Sequence, residues 1–347
     1  MMVDWISARV PLTWDVPINN GMVVHYRADG SVEYGVDKTL YLQGSHDSRI
    51  AIRTVERGYM EFSGNPSKFM QGHNLFGTDD LVGLMNDVLE KICTSLNLEP
   101  STEDKISWLY GDYTISRIDL TAMRELPTFT DVKSWILAAS EAFTVKWRGR
   151  GFYQDGTLYF GKVAKGKEAS SWQLKLYHKG EEILVRGHKL PENLLYRSEL
   201  EEWASNKLRI ELTLRSKELK RLGLVKVRHW TRDLIAQTYK AYVDKIDVGE
   251  LSMCDVNAEQ ELKPKLQAVY ALWKTGADLR KLYAKNTFYR YRSEIKNVMG
   301  VDISALCPKT NVIPLKRYLE PLPCGIPDFA KNTNLFYQPQ NRVYVVG

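Results

Sequence analysis

Apolar residues follow different patterns before and after Trp230. Before it, apolar and polar residues alternate over several short segments bounded by turn residues, which predicts strands. These segments are Met22 to Tyr26, Ser31 to Tyr34, Thr39 to Leu42, Arg49 to Val55, Gly58 to Phe62, Tyr113 to Thr121, Gly156 to Gly161, Gln173 to His178 and Leu208 to Leu214. Asp29 and Gly30 mark a hairpin turn between the first two.

Three segments between these strands have the period of a helix. The clearest is Asp79 to Leu96, whose leucines and isoleucine recur on one face and which Thr78 is suited to cap. The others are Thr130 to Ala142 and Pro191 to Ser205. Strands and helices in this order predict an α+β fold in which helices cover one face of a largely antiparallel sheet.

The chain after Trp230 is mostly helical by the same criterion, with helices at Thr231 to Asp247 and Lys263 to Lys274. Gly276 to Leu282 and Thr287 to Val298 form a further pair with the spacing of a helix-turn-helix, and Asn286 or Thr287 can cap the second helix. An ordinary helical hairpin with a basic outer face is the alternative. We predict a sheet-containing domain over residues 1–240, a helical domain over 241–320 and an extended tail over 321–347.

The composition is that of an ordinary globular protein, with 44% hydrophobic and 26% charged residues among 347. The four cysteines form no C-x-x-C pair, which predicts reduced thiols rather than a zinc site. Asp4, Arg9 and Asp15 interrupt the region where a signal peptide needs an apolar core, and no segment has the uninterrupted apolar length of a spanning helix. We therefore expect a cytosolic protein with no membrane partner.

Positive charge is concentrated in two segments of a chain whose net charge is +6. Lys207 to Arg228 has eight basic and two acidic residues, and Lys274 to Lys296 has seven basic and two acidic ones. Basic stripes with interleaved aromatics indicate a polyanionic partner, whereas solvated helix faces are the alternative. The candidate DNA contacts in the two segments are Arg209, Arg215, Lys220, Arg221, Lys285, Arg290 and Arg292.

Several common cofactor motifs are missing from the sequence. It has no G-x-x-x-x-G-K-[ST] loop, and Gly149-Arg150-Gly151 lacks the third glycine of a dinucleotide fingerprint. Its six histidines form no H-x-H or H-x-x-x-H pair. This excludes the usual signatures of ATP-driven motors, dinucleotide enzymes and histidine-bound metals, so any metal ion would need carboxylate ligands.

Two carboxylates interrupt predicted strands. Asp119 and Glu211 are flanked by apolar β-formers, and each follows an arginine by two residues, Arg117 and Arg209, which alternation places on the same face. Glu61 has similar apolar flanks without the arginine. Acids that converge on one sheet face would suit Mg²⁺ or Mn²⁺. Pairing of each acid with a nearby arginine on an exposed face is the alternative.

Tyr177 and Lys179 lie where a predicted strand runs into a polar turn. A phenol with a pKa of about 10 attacks poorly unless a cation or base favours the phenolate. Lys179 and a metal ion could do so, and Tyr177 could then displace the 3′ hydroxyl from a phosphodiester. Since tyrosine is abundant in the chain, with 19 residues, an ordinary packing role for Tyr177 is the alternative.

Several blocks in order resemble the gene II replication initiators of filamentous bacteriophages. Asn65 to Thr78 is similar to that family's P-x-K-x-x-Q-G-H-N-x-F-G-T signature. Further similar blocks, spread from about residue 22 to 320, are Ile115 to Asp119, the Tyr177-x-Lys179 strand with Glu182, Leu208 to Gly223, and Asn311 to Pro314. The resemblance implies that Tyr177 is the nucleophile. The acidic strands also resemble those of plasmid rolling-circle initiators, which implies Asp119 and Glu211 as metal ligands, with Glu61 as a third candidate.

The resemblance further implies an order of events and a set of partners. The protein would bind the double-stranded phage origin, nick the plus strand, stay attached to its 5′ end and later reseal the displaced circle. A host helicase, single-strand-binding protein and DNA polymerase would assist it in the bacterial cytoplasm, and the protein could oligomerise on DNA. Residues 1–240 would be the catalytic domain and residues 241–320 the DNA-binding domain.

One departure from related nickases is the missing motif of two histidines around a hydrophobic residue. This leaves three roles for His73: a metal ligand, a loop residue bonded to the backbone, or a DNA contact. Arg117 is a further candidate DNA contact. Two other functions fit the same basic stripes. They are a noncatalytic origin-binding or repressor protein, and a nuclease in which water attacks.

Overall fold

A computed structural model describes residues 1–14, 17–46, 48–56, 58–145, 148–161, 169–185, 187–248, 262–299, 302–305, 319 and 324–339. Its centre is a sheet of nine antiparallel strands in the order β10-β11-β12-β13-β7-β1-β6-β5-β4. These strands are β1 (Met2–Pro11), β4 (Leu40–Gln43), β5 (Arg49–Glu56), β6 (Tyr59–Gly64), β7 (Thr114–Glu125), β10 (Phe152–Gln154), β11 (Thr157–Phe160), β12 (Trp172–His178) and β13 (Lys207–Arg215).

Two small sheets accompany the large one. Strands β2 (Met22–Tyr26) and β3 (Val32–Asp37) form an exposed hairpin, and β8 (Thr144–Val145), β9 (Gly149–Arg150) and β14 (Ile246–Asp247) form the other sheet. The helices before residue 249 are α1 (Pro66–Gln71), α2 (Leu81–Leu96), α3 (Thr102–Leu109), α4 (Phe129–Ala142), α5 (Lys179–Glu182), α6 (Arg197–Ala204), α7 (Ser216–Leu222) and α8 (Arg232–Val243). The predicted α+β fold with an antiparallel sheet is confirmed.

The two faces of the large sheet differ in chemistry. Leu174 and Leu176 of β12 and Ile210 of β13 belong to the main hydrophobic core, which also contains apolar residues of α2, α3, α4 and α8. Residues at the alternate positions of the same strands are polar or charged, because successive side chains of a strand point to opposite faces. The sheet therefore has an apolar face covered by helices and a polar face, which we call the polar sheet face.

The helix expected at Asp79 to Leu96 begins slightly later than predicted. The Asp80 side chain accepts the Gly83 backbone N–H at 3.0 Å and is the N-cap of α2. The predicted cap, Thr78, instead accepts the Asp80 N–H at 3.0 Å. The prediction that Thr78 caps this helix is wrong because the turn before the helix is two residues longer than the pattern indicated.

The helical unit near the C-terminus has a hydrophobic cluster of its own. Its helices are α9 (Pro264–Lys274), α10 (Leu279–Leu282) and α11 (Lys285–Met299). The predicted helix pair is present, although α10 is a single turn and α11 already includes Asn286 and Thr287, the residues predicted to cap it. No helix within the described ranges has the length and apolarity needed to cross a membrane.

Part of the segment predicted as an extended tail packs back on the sheet-containing domain. Ala330 and Leu335 are buried in a third hydrophobic cluster with Leu75 and Phe76, which follow α1. The Tyr337 backbone N–H donates to Gln71 Oε1 at 3.0 Å, and its hydroxyl bonds with Asp87 of α2. These residues near the end of the chain therefore support the loop between α1 and α2. The Asn311 to Pro314 block lies outside the described residues.

Candidate active site

Three predicted site residues come together on the polar sheet face. Tyr177 of β12 lies opposite Arg209 of β13, and Glu211 lies two residues further along the same strand. Asp119 of β7 is opposite Thr213, so Asp119 and Glu211 are diagonal neighbours on one face. The Tyr177 hydroxyl donates to Glu211 Oε2 at 3.3 Å. The structure thus places a phenol and two carboxylates in one cluster, with Asp119 and Glu211 on the face that alternation indicated.

Tyr177 is buried among polar groups rather than in hydrocarbon. Its side chain is 4% exposed, and the Lys175 ammonium lies 4.2 Å from the ring centroid. Burial raises the pKa of Tyr177 well above its usual value, an effect that Arg209 opposes and Glu211 reinforces. The phenol is therefore protonated in this arrangement. It would need a proton acceptor in order to attack, and Glu211 is in hydrogen-bond contact with it.

Arg209 is the cation that opposes the rise in the pKa of Tyr177. It is not a surface residue. It is fully buried, its Nη2 lies 2.8 Å from Asp4 Oδ1, and its Nη1 donates to the Asn74 carbonyl at 2.5 Å. Burial alone would lower the pKa of Arg209, but Asp4 and neighbouring anionic groups raise it above the usual value. The expected DNA contact of Arg209 is not supported by this structure because these partners enclose its guanidinium.

Lys179 connects the end of the Tyr177 strand to the loop after α1. It is 1% exposed, and its Nζ donates to Glu182 Oε2 at 2.5 Å and to Asn74 Oδ1 at 3.0 Å. Burial lowers the pKa of Lys179 to about 8, although Glu182 opposes the change. Asn74 therefore meets both Lys179 and Arg209. The block Asn65 to Thr78 and the Tyr177 strand, which are distant in the sequence, form one site.

His73 has a role in the structure of this loop. Its side chain is 1% exposed, and its Nδ1 accepts the Leu75 backbone N–H at 3.2 Å. Burial lowers the pKa of His73 to about 3, so the ring is neutral. Gln71 Nε2 donates to the carbonyls of His73 and Phe76 and closes the turn. Of the three roles left open by the sequence, the structure favours the loop residue, and the expected DNA contact of His73 is not supported because the ring is buried.

Asp119 is a buried carboxylate with incomplete charge compensation. Arg117 donates to both of its oxygens, at 2.9 and 2.5 Å, and the Asp119 side chain is 3% exposed. Burial raises the pKa of Asp119 to about 7, with Glu211 adding to the rise and Arg117 opposing it. A second cation at this position would stabilise both ionised carboxylates. Arg117, predicted as a DNA contact, is partly exposed, and its guanidinium forms an ion pair with Asp119.

Glu61 is separated from the other two predicted metal ligands. It lies on β6 opposite Arg9 of β1, whereas Asp119 lies opposite Trp5 of β1. Glu61 and Asp119 are therefore two strand spacings apart across the sheet and four residues apart along it, a separation of about 16 Å. Glu61 instead bonds with Arg53 at 2.8 Å. The structure does not bring Glu61 into the cluster, because β1 lies between β6 and β7.

Asp119 and Glu211 are the two remaining carboxylates that could hold a metal ion. No group of three or more histidine, cysteine, aspartate or glutamate residues suited to hold an ion occurs in the part of the chain that the structure describes. Mg²⁺ commonly binds through one or two carboxylates and completes its sphere with water and substrate phosphate oxygens. Asp119 and Glu211, diagonal neighbours on the polar sheet face, could provide this donor set.

The other predicted DNA contacts occupy different surroundings. Arg221 pairs with Glu218 at 2.7 Å, and Arg292 donates to both oxygens of Asp302, at 2.6 and 2.5 Å. These two guanidinium groups are occupied by intramolecular partners, which the sequence alone did not reveal. The exposed candidates are Lys220 and Arg221 on α7 and Lys285 and Arg290 on α11, while Arg215 and Arg292 are partly exposed.

The buried Asp4–Arg209 pair gives a stability prediction. Asp4→Ala leaves the Arg209 charge buried without its main partner, which typically costs about 3–5 kcal/mol. Glu61→Ala is the matched control because it also removes one carboxylate from an arginine, but the Arg53–Glu61 pair is exposed and such pairs contribute about 0–1 kcal/mol. Urea unfolding followed by circular dichroism measures both variants. Equal unfolding midpoints for the two would contradict the assignment.

Two family models together match most of the chain. A family model described as the N-terminal part of the gene II replication-associated protein matches residues 2–233, and one described as its C-terminal part matches residues 258–336. The replication-associated protein of Enterobacteria phage I2-2 is 34% identical over 354 residues, which cover 99% of this chain and 99% of that protein. The proteins of the same name from Enterobacteria phages M13 and fd are 26% identical over 220 residues, 56% of this chain and 52% of each relative.

Proposed function

The chain belongs to the gene II replication-associated protein family of filamentous phages, and from this premise we propose that it initiates rolling-circle replication by nicking the plus strand at the double-stranded phage origin. Family membership supports a role in phage DNA replication. The nicking chemistry is inferred from one observation, the contact of the Tyr177 hydroxyl with Glu211 beside the buried Asp119.

In the proposed reaction, Tyr177 Oη attacks the phosphorus of the scissile phosphodiester. The bond from phosphorus to Tyr177 forms as the bond from phosphorus to the 3′ oxygen breaks, which leaves a free 3′ hydroxyl and a 5′-phosphotyrosyl link. Glu211 accepts the phenolic proton because its Oε2 is already in contact with the hydroxyl. The 3′ oxygen takes a proton from water as it leaves, and Glu211 releases the phenolic proton to solvent. Attack of a 3′ hydroxyl on the phosphotyrosine reverses these steps and closes the displaced strand, so no ATP is consumed.

The positive groups around Tyr177 favour the charge that develops on its oxygen. Arg209 lies opposite Tyr177 in the sheet register, and the Lys175 ammonium sits over the ring. Arg209 is fixed before the reaction by Asp4 and the Asn74 carbonyl. Preorganised charges of this kind stabilise a transition state without having to reorient during the reaction. The sequence indicated Lys179 as the cation that favours the phenolate of Tyr177. We assign this role to Arg209 instead, while Lys179 positions Asn74.

Asp119 and Glu211 are the residues that would hold Mg²⁺ or Mn²⁺. When bound there, the ion would supply Lewis-acid polarisation of the phosphodiester and neutralise its charge. With Tyr177 4% exposed, the scissile phosphate reaches the hydroxyl only if contacts over the site open when DNA binds.

The remaining parts of the proposal concern DNA binding and partners. Lys285 and Arg290 on α11 are exposed and would contact the phosphate backbone of the origin duplex. The sequence has no ATP-binding loop, so strand separation would depend on a host helicase, with host single-strand-binding protein and polymerase following in the bacterial cytoplasm.

Incubation with supercoiled plasmid tests the proposal. A plasmid that carries the double-stranded phage origin should become an open circle in Mg²⁺, with the protein attached to the 5′ end after denaturation in detergent. A plasmid without that origin is the control. Binding without nicking would instead indicate a noncatalytic origin-binding or repressor protein, and nicking without attached protein would indicate attack by water.

A further inference from the structure

A second polar site lies on the polar sheet face, away from Tyr177. It is a groove of about 520 Å³ between the ends of β1, β6 and β7 and helix α7. Its polar lining consists of Ser7, Arg9, Glu61, Ser63, Thr114, Ser116, Ser216 and Lys220. Hydroxyl groups and two cations dominate this set. Such groups bind phosphate oxygens without reading base sequence.

The carboxylate of Glu61 has a cationic partner of its own outside the residues that line the groove. Glu61 is paired with Arg53, whose Nε donates to Glu61 Oε2 at 2.8 Å. Lys220 is exposed at the rim, on the turn of α7 that follows Ser216. The hydroxyl of Ser7 lies 2.8 Å from that of Ser63, so the two can reorient together toward an acceptor. The groove is therefore suited to an anionic chain.

Cations stacked on aromatic rings continue from this groove toward Tyr177. The Arg9 guanidinium lies 4.5 Å from the centroid of Tyr59, and the Arg117 guanidinium lies 5.2 Å from that of Trp5. The Lys175 ammonium occupies the same relation to Tyr177. Tyr59 is 40% exposed. Aromatic rings next to a positively charged groove are the features with which proteins bind single strands, because every base has a face that can stack.

The distance between the two sites suits a short stretch of nucleic acid. Register places Ser7 opposite Arg117, Arg117 opposite Arg215, and Tyr177 opposite Arg209. Ser7 and Tyr177 are therefore three strand spacings apart across the sheet and six residues apart along it, a separation of about 25 Å. At the stacked spacing of about 3.4 Å, roughly seven nucleotides would span it.

We propose that the groove binds the single-stranded DNA that flanks the cleaved bond and guides it across the polar sheet face to Tyr177. The choice of a single strand follows from the groove volume, which lies in the range of about 300–1,000 Å³ typical of small-ligand sites and admits one backbone rather than a duplex. The identity of the ligand as DNA rests on the proposed nicking function.

Fluorescence anisotropy with a labelled 20-nucleotide oligo-dT tests the proposal on the full chain. Arg9→Gln combined with Lys220→Glu should weaken binding by about tenfold or more at low salt. It should also reduce the slope of log K against log salt by about 1.4, since each phosphate contact contributes about 0.7 for single strands. Lys105→Glu on α3 is the matched control, because this exposed lysine lies in the helical layer on the other side of the sheet.

Two results would overturn the proposal. One is unchanged oligo-dT binding by the double variant with a native circular dichroism spectrum and melting curve. The other is an equal loss of binding to duplex origin DNA, which would make the groove a duplex site. Lys220→Glu alone, an exposed substitution, provides a second measurement if the double variant unfolds. Because oligo-dT binding requires no cleavage, a failure of the nicking proposal would leave these measurements interpretable.

Discussion

Tyr177→Phe is expected to abolish nicking of origin plasmid while leaving origin binding nearly unchanged. The substitution removes only the attacking oxygen, and the ring keeps its place beside Lys175. Loss of a covalent nucleophile typically lowers the rate by roughly 10⁴–10⁶-fold, which is beyond detection in a plasmid assay. Conversion of supercoiled to open circles measures nicking, and a gel shift on the same origin fragment measures binding.

Tyr153→Phe is the matched control for this prediction. Tyr153 lies on β10, is 43% exposed and belongs to neither proposed site. It should nick at the normal rate and retain the protein–DNA link. If Tyr177→Phe forms open circles with covalently attached protein, another tyrosine is the nucleophile. If it forms them without attached protein, water attacks and the protein is a hydrolytic nuclease.

Asp119→Asn and Glu211→Gln are each expected to reduce nicking by more than the roughly 10–100-fold that follows loss of an outer partner of a metal ligand. Both variants keep the shape of the side chain and remove its charge. Mn²⁺ binding measured by calorimetry should weaken in both, and the ion concentration needed for half-maximal nicking should rise. Glu211→Gln should also lose activity at saturating Mn²⁺, because it removes the proposed acceptor of the phenolic proton.

Glu61→Gln separates this two-carboxylate site from the three-carboxylate arrangement expected from the sequence. Since Glu61 bonds with Arg53 and lies across β1 from Asp119, its variant should keep wild-type Mn²⁺ affinity. A loss of metal affinity in Glu61→Gln equal to that in Asp119→Asn would contradict the site described here.

The shared face of Asp119 and Glu211 was predictable because it depends on local alternation. Each of these two residues is flanked by apolar neighbours that must enter the core, so its own side chain must point to the other face. Tyr177 lies between Leu176 and the polar His178, so its position on the same face follows from its pairing with Arg209. Strand order is not a local property. Glu61 has the same apolar flanks, yet β1 separates its strand from that of Asp119, and no pattern within Tyr59 to Phe62 could indicate this.

Strand β1 was missed for a related reason. Its pairing with β7 shifts register between Val3 and Trp5, where Asp4 is the extra residue, and this breaks the simple alternation at the start of the strand. Asp4 at this shift joins Arg209 on the polar sheet face. The sequence therefore predicted an exposed Arg209, because its partner lies in a segment not recognised as a strand. The role of Asn74 as a contact of both Lys179 and Arg209 likewise depends on tertiary packing.

The return of residues 335–337 to the loop between α1 and α2 has a consequence for the order in which the protein matures. Leu335 packs with Leu75 and Phe76, and Tyr337 bonds with Gln71, on either side of the Asn74 that holds Lys179 and Arg209. During synthesis the ribosome makes the sheet long before it makes these residues. A nascent chain that ends before residue 335 therefore carries Tyr177 without these contacts to the loop, so that the proposed nicking activity requires residues 335–337 to have been synthesised.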